Sequence, residues 1–142
     1  MKFELPDADY HAIDLMRNDP EVISGEKWKV PLSEIESLVD GNSDLEDMLE
    51  DVLDQSFRYT KSVVEHMEAL ESGLFDEDVE RKSFDRGITH DATKSTVQAF
   101  VRNLLKAGKD PVIVQSLIPN TESRRACGLF ALRLTLTRGA GN

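Results

Sequence analysis

Two long helix-period segments stand end to end with almost no connector, and this constrains the fold more than any other feature. Leu45, Met48, Leu49, Val52, Leu53, Phe57, Thr60, Val63, Val64, Met67 and Leu70 recur at the helical period of about 3.6 residues. Ser43-Asp44-Leu45-Glu46 ahead of them reads as a capping box with Ser43 at the cap, and Gly73 supplies a stop. At about 1.5 Å per residue the helix is about 40 Å long. A second helix is expected over 76–107. Asp76, Glu77 and Asp78 suit its first turn, Lys106 its last, and Gly108 its C-terminal end. Only Leu74 and Phe75 separate it from Gly73, so the two helices must fold back on each other. The expected fold class is all-α, a helical bundle built on a long antiparallel helical hairpin. A turn near residue 74 sets Arg58 opposite His90, Asp54 near Lys94, and Glu65 and His66 near Lys82.

The remainder is expected to pack on that hairpin as one domain over 1–142. Residues 1–42 read as short helices and loop, 43–107 as the hairpin, 110–138 as a C-terminal segment and 139–142 as a tail. Ile13, Leu15 and Met16 mark a short helix over 10–16, and 20–31 reads as loop around Gly25 and Trp28. A helix is expected over 31–40, with Pro31 in its first turn and Gly41 beyond its end. Asp110-Pro111 can cap a short helix, yet Val112-Ile113-Val114 reads equally as strand. From Thr121 the pattern is again double. Leu132, Leu134 and Leu136 alternate as in a strand, whereas Leu129, Leu132 and Leu136 share a helix face. The run Ala126-Cys127-Gly128-Leu129-Phe130-Ala131 tips the reading to helix.

Charge divides the chain. Residues 1–80 carry 23 Asp+Glu against 6 Lys+Arg, a net of −17; residues 81–142 carry 4 against 11, a net of +7, within an overall −10. The two helices of the hairpin can neutralise each other, basic on acidic. Exposed pairs of that kind contribute only about 0–1 kcal/mol each. Glu50, Asp51 and Asp54 could chelate a divalent cation but read better as a solvated acidic face. The single Cys127, set among Ala126, Gly128 and Leu129, reads as a small buried hydrophobe. No apolar run suggests a signal peptide or a membrane span, so a cytoplasmic location without membrane contact is expected.

One polar constellation stands out. Stepping back along the second helix from Leu104, Val101 and Val97 at helical spacing gives Thr93, His90 and Arg86, so a stripe that begins apolar ends ionisable. Buried ionisable groups must be paired or neutral. The preferred reading is a structural network: a carboxylate of the acidic half holds Arg86, and His90 bonds a backbone carbonyl or Tyr59. A ligand pocket over Arg86, His90, Asp91 and Tyr59 is the alternative. Trp28, between Lys27 and Lys29, and the pair Arg124 and Arg125 are candidate interface residues. Positive charge at the start of the last helix opposes its dipole, so an acidic residue of the first half, or a phosphate, should compensate it.

His90-Asp91-Ala92-Thr93-Lys94 resembles the His-Asp-x-x-Lys motif of HD-type metal phosphohydrolases. That resemblance implies a divalent metal on His66, His90, Asp91 and Asp110. The hairpin register argues against it, because His66 would lie about 12 Å along the axis from the level of His90, whereas metal–nitrogen bonds are about 2 Å. Arg86-Gly87-Ile88-Thr89-His90-Asp91-Ala92, then Arg102-Asn103-Leu104, and Arg124-Arg125 ahead of Phe130-Ala131 resemble a family of small, mostly helical bacterial proteins of unknown function. The resemblance spans residues 80–135 and implies an all-α bacterial protein of the cytoplasm, with no activity attached.

The leading functional reading is a non-enzymatic protein-interaction or regulatory module with no cofactor, whose leftover apolar surface a second copy in a homodimer or a protein partner would cover. A metal-dependent HD-like phosphohydrolase is the second reading. Nucleic-acid binding through the basic half is the third, and the net charge of −10 and a pI near 4.7 weigh against it.

Overall fold

A computed structural model of the chain describes residues 30–71, 77–118 and 120–140, and these fold into five helices. They are α1 (Leu32–Val39), α2 (Ser43–Glu71), α3 (Glu77–Lys106), α4 (Pro111–Leu117) and α5 (Arg124–Ala140). No strand occurs among the described residues. Helices α2 and α3, of 29 and 30 residues, run antiparallel as the expected hairpin, and α5 lies across both. The expected helix over 10–16, residues 20–29 of the loop expected over 20–31 with Trp28, and the hairpin turn expected near residue 74 lie outside the described residues. No helix among the described residues is long and apolar enough to cross a membrane.

The helix ends follow from local chemistry. Pro31 precedes α1, and its carbonyl accepts from Ile35 N at 3.1 Å. Gly41 then takes φ +81°, a left-handed conformation that glycine adopts without steric penalty. The start of α2 corrects the expected capping box. Asn42 is the cap, its Oδ1 accepting from Leu45 N at 3.1 Å, and Ser43 is already the first helical residue. Helix α3 ends in a Schellman arrangement around Gly108 (φ +84°): Lys109 N donates to Leu104 O, and Gly108 N to Leu105 O, each at 3.1 Å. Asp110 Oδ1 accepts from Val112 N at 2.9 Å with Pro111 in the first turn, so 111–117 is helix rather than strand. Ser123 caps α5 by accepting from Ala126 N at 3.1 Å. Helix α5 continues to Ala140, so residues 139 and 140 are not the tail expected there.

The core has two parts. The larger lies at the open end of the hairpin, where Leu49, Val52, Val97, Phe100 and Leu104 meet Ile35, Val39, Val114, Ile118, Phe130 and Leu134. The smaller lies nearer the hairpin turn and holds Tyr59, Val63, Met67, Ala131 and Leu132. Around it the interior is polar: Ser56, Thr60, Ser62, His66, His90 and Thr93 are all buried. Hydroxyls knit the hairpin there. Ser62 and Thr89 Oγ atoms lie 2.7 Å apart, and Thr93 Oγ1 lies 3.1 Å from the Gln55 carbonyl. These pairs, with Tyr59 against His90, fix the register that the short connector implies.

The two charge halves meet across α2 and α5, where Arg138 Nη2 lies 3.8 Å from Glu50 Oε2. Glu50, Asp51 and Asp54 are exposed, as a solvated acidic face requires. Cys127 is buried, its Sγ 3.7 Å from the Thr121 carbonyl; burial pushes the thiol pKa up, which keeps it protonated.

Candidate functional site

The polar stripe of α3 meets α2 and the first turn of α5 near the hairpin turn. Packing determines which of its side chains face inward. Thr93, Val97 and Leu104 are buried on the stripe, His90 keeps only 7% of its surface, and Arg86, one turn earlier, is half-buried. Tyr59 on α2 is buried and meets the His90 ring edge-on, with centroids 5.3 Å apart and planes at 77°.

The chemistry of His90 follows from its partners. Its Nε2 lies 2.8 Å from the Arg124 carbonyl. A carbonyl only accepts, so Nε2 carries the proton and, in the neutral ring, Nδ1 bears the lone pair. Nδ1 is buried without a hydrogen-bond partner among the described residues and stands 3.8 Å from Asp91 Oδ1. Burial lowers the His90 pKa, and the Arg124 charge adds to that effect, against the raising influence of the Arg124 carbonyl and of Asp91. His66 is also lowered, by burial first and then by the positive charge of Arg86. Both rings are therefore neutral near pH 7.

Arg124 ties the site to α5. Its Nη1 donates to Asp91 Oδ1 at 2.9 Å, with both side chains largely exposed. The compensation expected from the acidic half comes instead from α3, within the basic half. The side chain of Arg125 is outside the described positions.

Two glycines shape the site. Gly87 lies inside α3, and a Cβ there would meet nothing within 4 Å. The close approach is at Gly128 of α5, where a Cβ would stand 3.1 Å from the Tyr59 hydroxyl and 3.5 Å from His90 Nε2. Gly128 thus lets α5 press against Tyr59 and His90, while Gly87 leaves space. A cleft of about 200 Å³ opens between them, lined by Tyr59, Ser83, Arg86, Gly87, His90 and Arg124. Sequence reasoning singled out Arg86, His90 and Tyr59, and named Arg124 only as an interface residue. It missed Ser83, which carried no signal beyond its place one turn before Arg86 and Gly87.

The four residues of the HD-type resemblance are not brought together. Asp91 binds Arg124, Asp110 caps α4, His66 is buried on α2, and His90 bonds the start of α5. Among the described residues, no group of three or more His, Cys, Asp or Glu side chains is placed to hold a metal ion. No protein-family model, curated protein or solved structure matches the chain.

Proposed function

We propose that the protein is a non-enzymatic regulatory or interaction module whose recognition surface is the cleft between α2, α3 and the start of α5. The observation that supports this reading is the composition of the cleft. Its walls carry hydrogen-bonding side chains from three helices, yet the groups that could do chemistry are engaged structurally. The Arg124 carbonyl holds the His90 Nε2 proton, the His90 Nδ1 lone pair is buried away from solvent, and Asp91 is tied to Arg124, so neither side chain presents an accessible base to the cleft. Beside the cleft, Phe84 and Ile88 stand one turn apart on α3, 68% and 50% exposed. They offer apolar surface that a protein partner or a second copy would cover.

The test is an amide chemical-shift screen of the intact protein against small polar metabolite-like compounds, with each compound checked for conversion afterwards. Binding compounds should shift Tyr59, Gly87, His90 and Arg124 and be recovered unchanged. A compound that is turned over, with turnover lost in His90→Ala, would replace this reading with an enzymatic one. A screen in which nothing moves these four residues would remove it altogether.

A further inference from the structure

The lining of the cleft carries two guanidinium groups and two hydroxyls as hydrogen-bond donors and no carboxylate, while the one N–H of neutral His90 is already on the Arg124 carbonyl. All of these residues but Tyr59 come from the basic half of the chain, net +7 over 81–142. We infer that the cleft binds a small oxyanion of phosphate size, through the Arg86 and Arg124 guanidiniums and the Tyr59 and Ser83 hydroxyls. This rests on the reading of the cleft as a recognition site and names the chemistry of its ligand. Size sets the class. About 200 Å³ falls below the roughly 300–1,000 Å³ typical of sites that enclose a whole drug-sized molecule. The cleft suits one tetrahedral group, either free phosphate or the terminal phosphate of a larger ligand whose remainder stays outside. Planar guanidiniums match phosphate oxygens in two-pronged pairs, which makes arginine the suited residue here. Gly87 supplies the room, since any side chain there would project into open space at the cleft wall.

Asp91 is the internal competitor. Its carboxylate already holds Arg124 at 2.9 Å, so an incoming oxyanion must share or displace that contact. Removing the carboxylate charge should therefore tighten binding, an effect that a merely structural role for the cleft does not produce.

The experiment titrates the intact protein with inorganic phosphate at constant ionic strength, following backbone amides, with chloride as the matched control. Saturable shifts at Gly87, His90 and Arg124 are expected. Arg86→Gln should weaken binding at least tenfold and Asp91→Asn should strengthen it severalfold. Arg138→Gln, which removes an exposed arginine at the far end of α5, should leave it unchanged. Gly87→Leu should abolish binding while the protein stays folded, because the added side chain fills the cleft and not the core. A parallel titration with a phosphate monoester decides the source: equal affinity marks free phosphate as the ligand, and a large gain marks a phosphorylated molecule. Shifts that rise linearly without saturation, or that Arg138→Gln reduces as much as Arg86→Gln, would overturn the oxyanion assignment. If phosphate fails while uncharged or cationic compounds shift the same residues, the recognition cleft stands and its proposed ligand class falls.

Discussion

Replacing Gly128 and Gly87 by alanine, one at a time, separates the two roles assigned to these glycines. Both lie inside helices, where alanine is favoured over glycine by about 0.5–1 kcal/mol. At position 87 a Cβ meets nothing, so Gly87→Ala should realise that gain in full. At position 128 the Cβ would sit 3.1 Å from the Tyr59 hydroxyl and 3.5 Å from the His90 ring, closer to the hydroxyl than ordinary van der Waals contact allows. Tyr59 is buried and its ring is held against His90, so it cannot swing clear. Overpacking of this kind costs about 1–3 kcal/mol. Gly128→Ala should therefore lie about 1–3 kcal/mol below Gly87→Ala in stability, and near or below the parent protein.

Urea unfolding read by circular dichroism at 222 nm measures this directly, since with m of about 1–3 kcal/mol/M a change of about 1 kcal/mol moves the midpoint by about 0.3–1 M. A double-mutant cycle sharpens the test. Tyr59→Phe removes the oxygen nearest the new methyl group, so Tyr59→Phe with Gly128→Ala should recover about 1 kcal/mol relative to the sum of the single changes. If Gly128→Ala stabilises as much as Gly87→Ala, or if the cycle is additive, the close approach of α5 to Tyr59 is wrong, and the shape of the cleft with it.

Two further outcomes follow from the same geometry. The pKa values of His66 and His90 are lowered from 6.5, so the unfolded chain binds protons that the folded one refuses. Their stabilising contribution is complete above pH 6.5 and is lost as pH falls from there towards the lower folded values, at up to about 1.4 kcal/mol per pH unit for each histidine. The urea midpoint should decline between pH 6.5 and 5 and do so less steeply in His90→Gln; a flat midpoint over that window would contradict neutral burial. At the start of α2, Asn42→Ala should cost about 1 kcal/mol whereas Ser43→Ala should cost almost nothing, because Asn42 makes the capping bond. Equal losses in thermal unfolding would restore Ser43 as the cap.

The hairpin was legible because it rests on repetition: eleven periodic positions and a connector too short for anything but reversal. Its register was legible for the same reason: Thr93 meets the Gln55 carbonyl at the expected level, Tyr59 meets His90 one residue from it, and Ser62 meets Thr89 three residues from it. Residues 112–118 and 129–137 stayed ambiguous because β-branched and alternating residues satisfy both periods over so few positions. Caps outside the residues themselves resolve them, Asp110 for α4 and Ser123 for α5. The inward phase of Arg86 and His90 could be read from Val97 and Leu104. The cleft could not, because it depends on where α5 crosses the hairpin. That crossing is set by Gly128, whose missing side chain is a signal only when its neighbours are known. Charge misled in one respect: the balance of the halves implied pairing across them, yet Arg124 takes its carboxylate from the basic half.

The polar interior near the turn has a physical consequence that an apolar one would lack. Leucine-like side chains at the open end could re-pack after a one-turn slip of α3 along α2 with modest loss, because dispersion and burial are nondirectional. Hydroxyl pairs cannot. A slip of 5.4 Å would separate Ser62 from Thr89 and Thr93 from the Gln55 carbonyl, and would carry His90 away from the Arg124 carbonyl. Ser62, Thr89 and Thr93 would keep the bonds to carbonyls of their own helices and lose only the bonds across the hairpin, while His90 Nε2–H would be left unpaired at about 1–3 kcal/mol. The apolar end supplies the stability and the polar end specifies the register. Arg86 and His90 of α3 and Arg124 of α5 line one small space beside that polar end. Any oxyanion bound there would bridge α3 and α5 and would be expelled by the slip, so ligand binding and hairpin register are coupled through the same bonds.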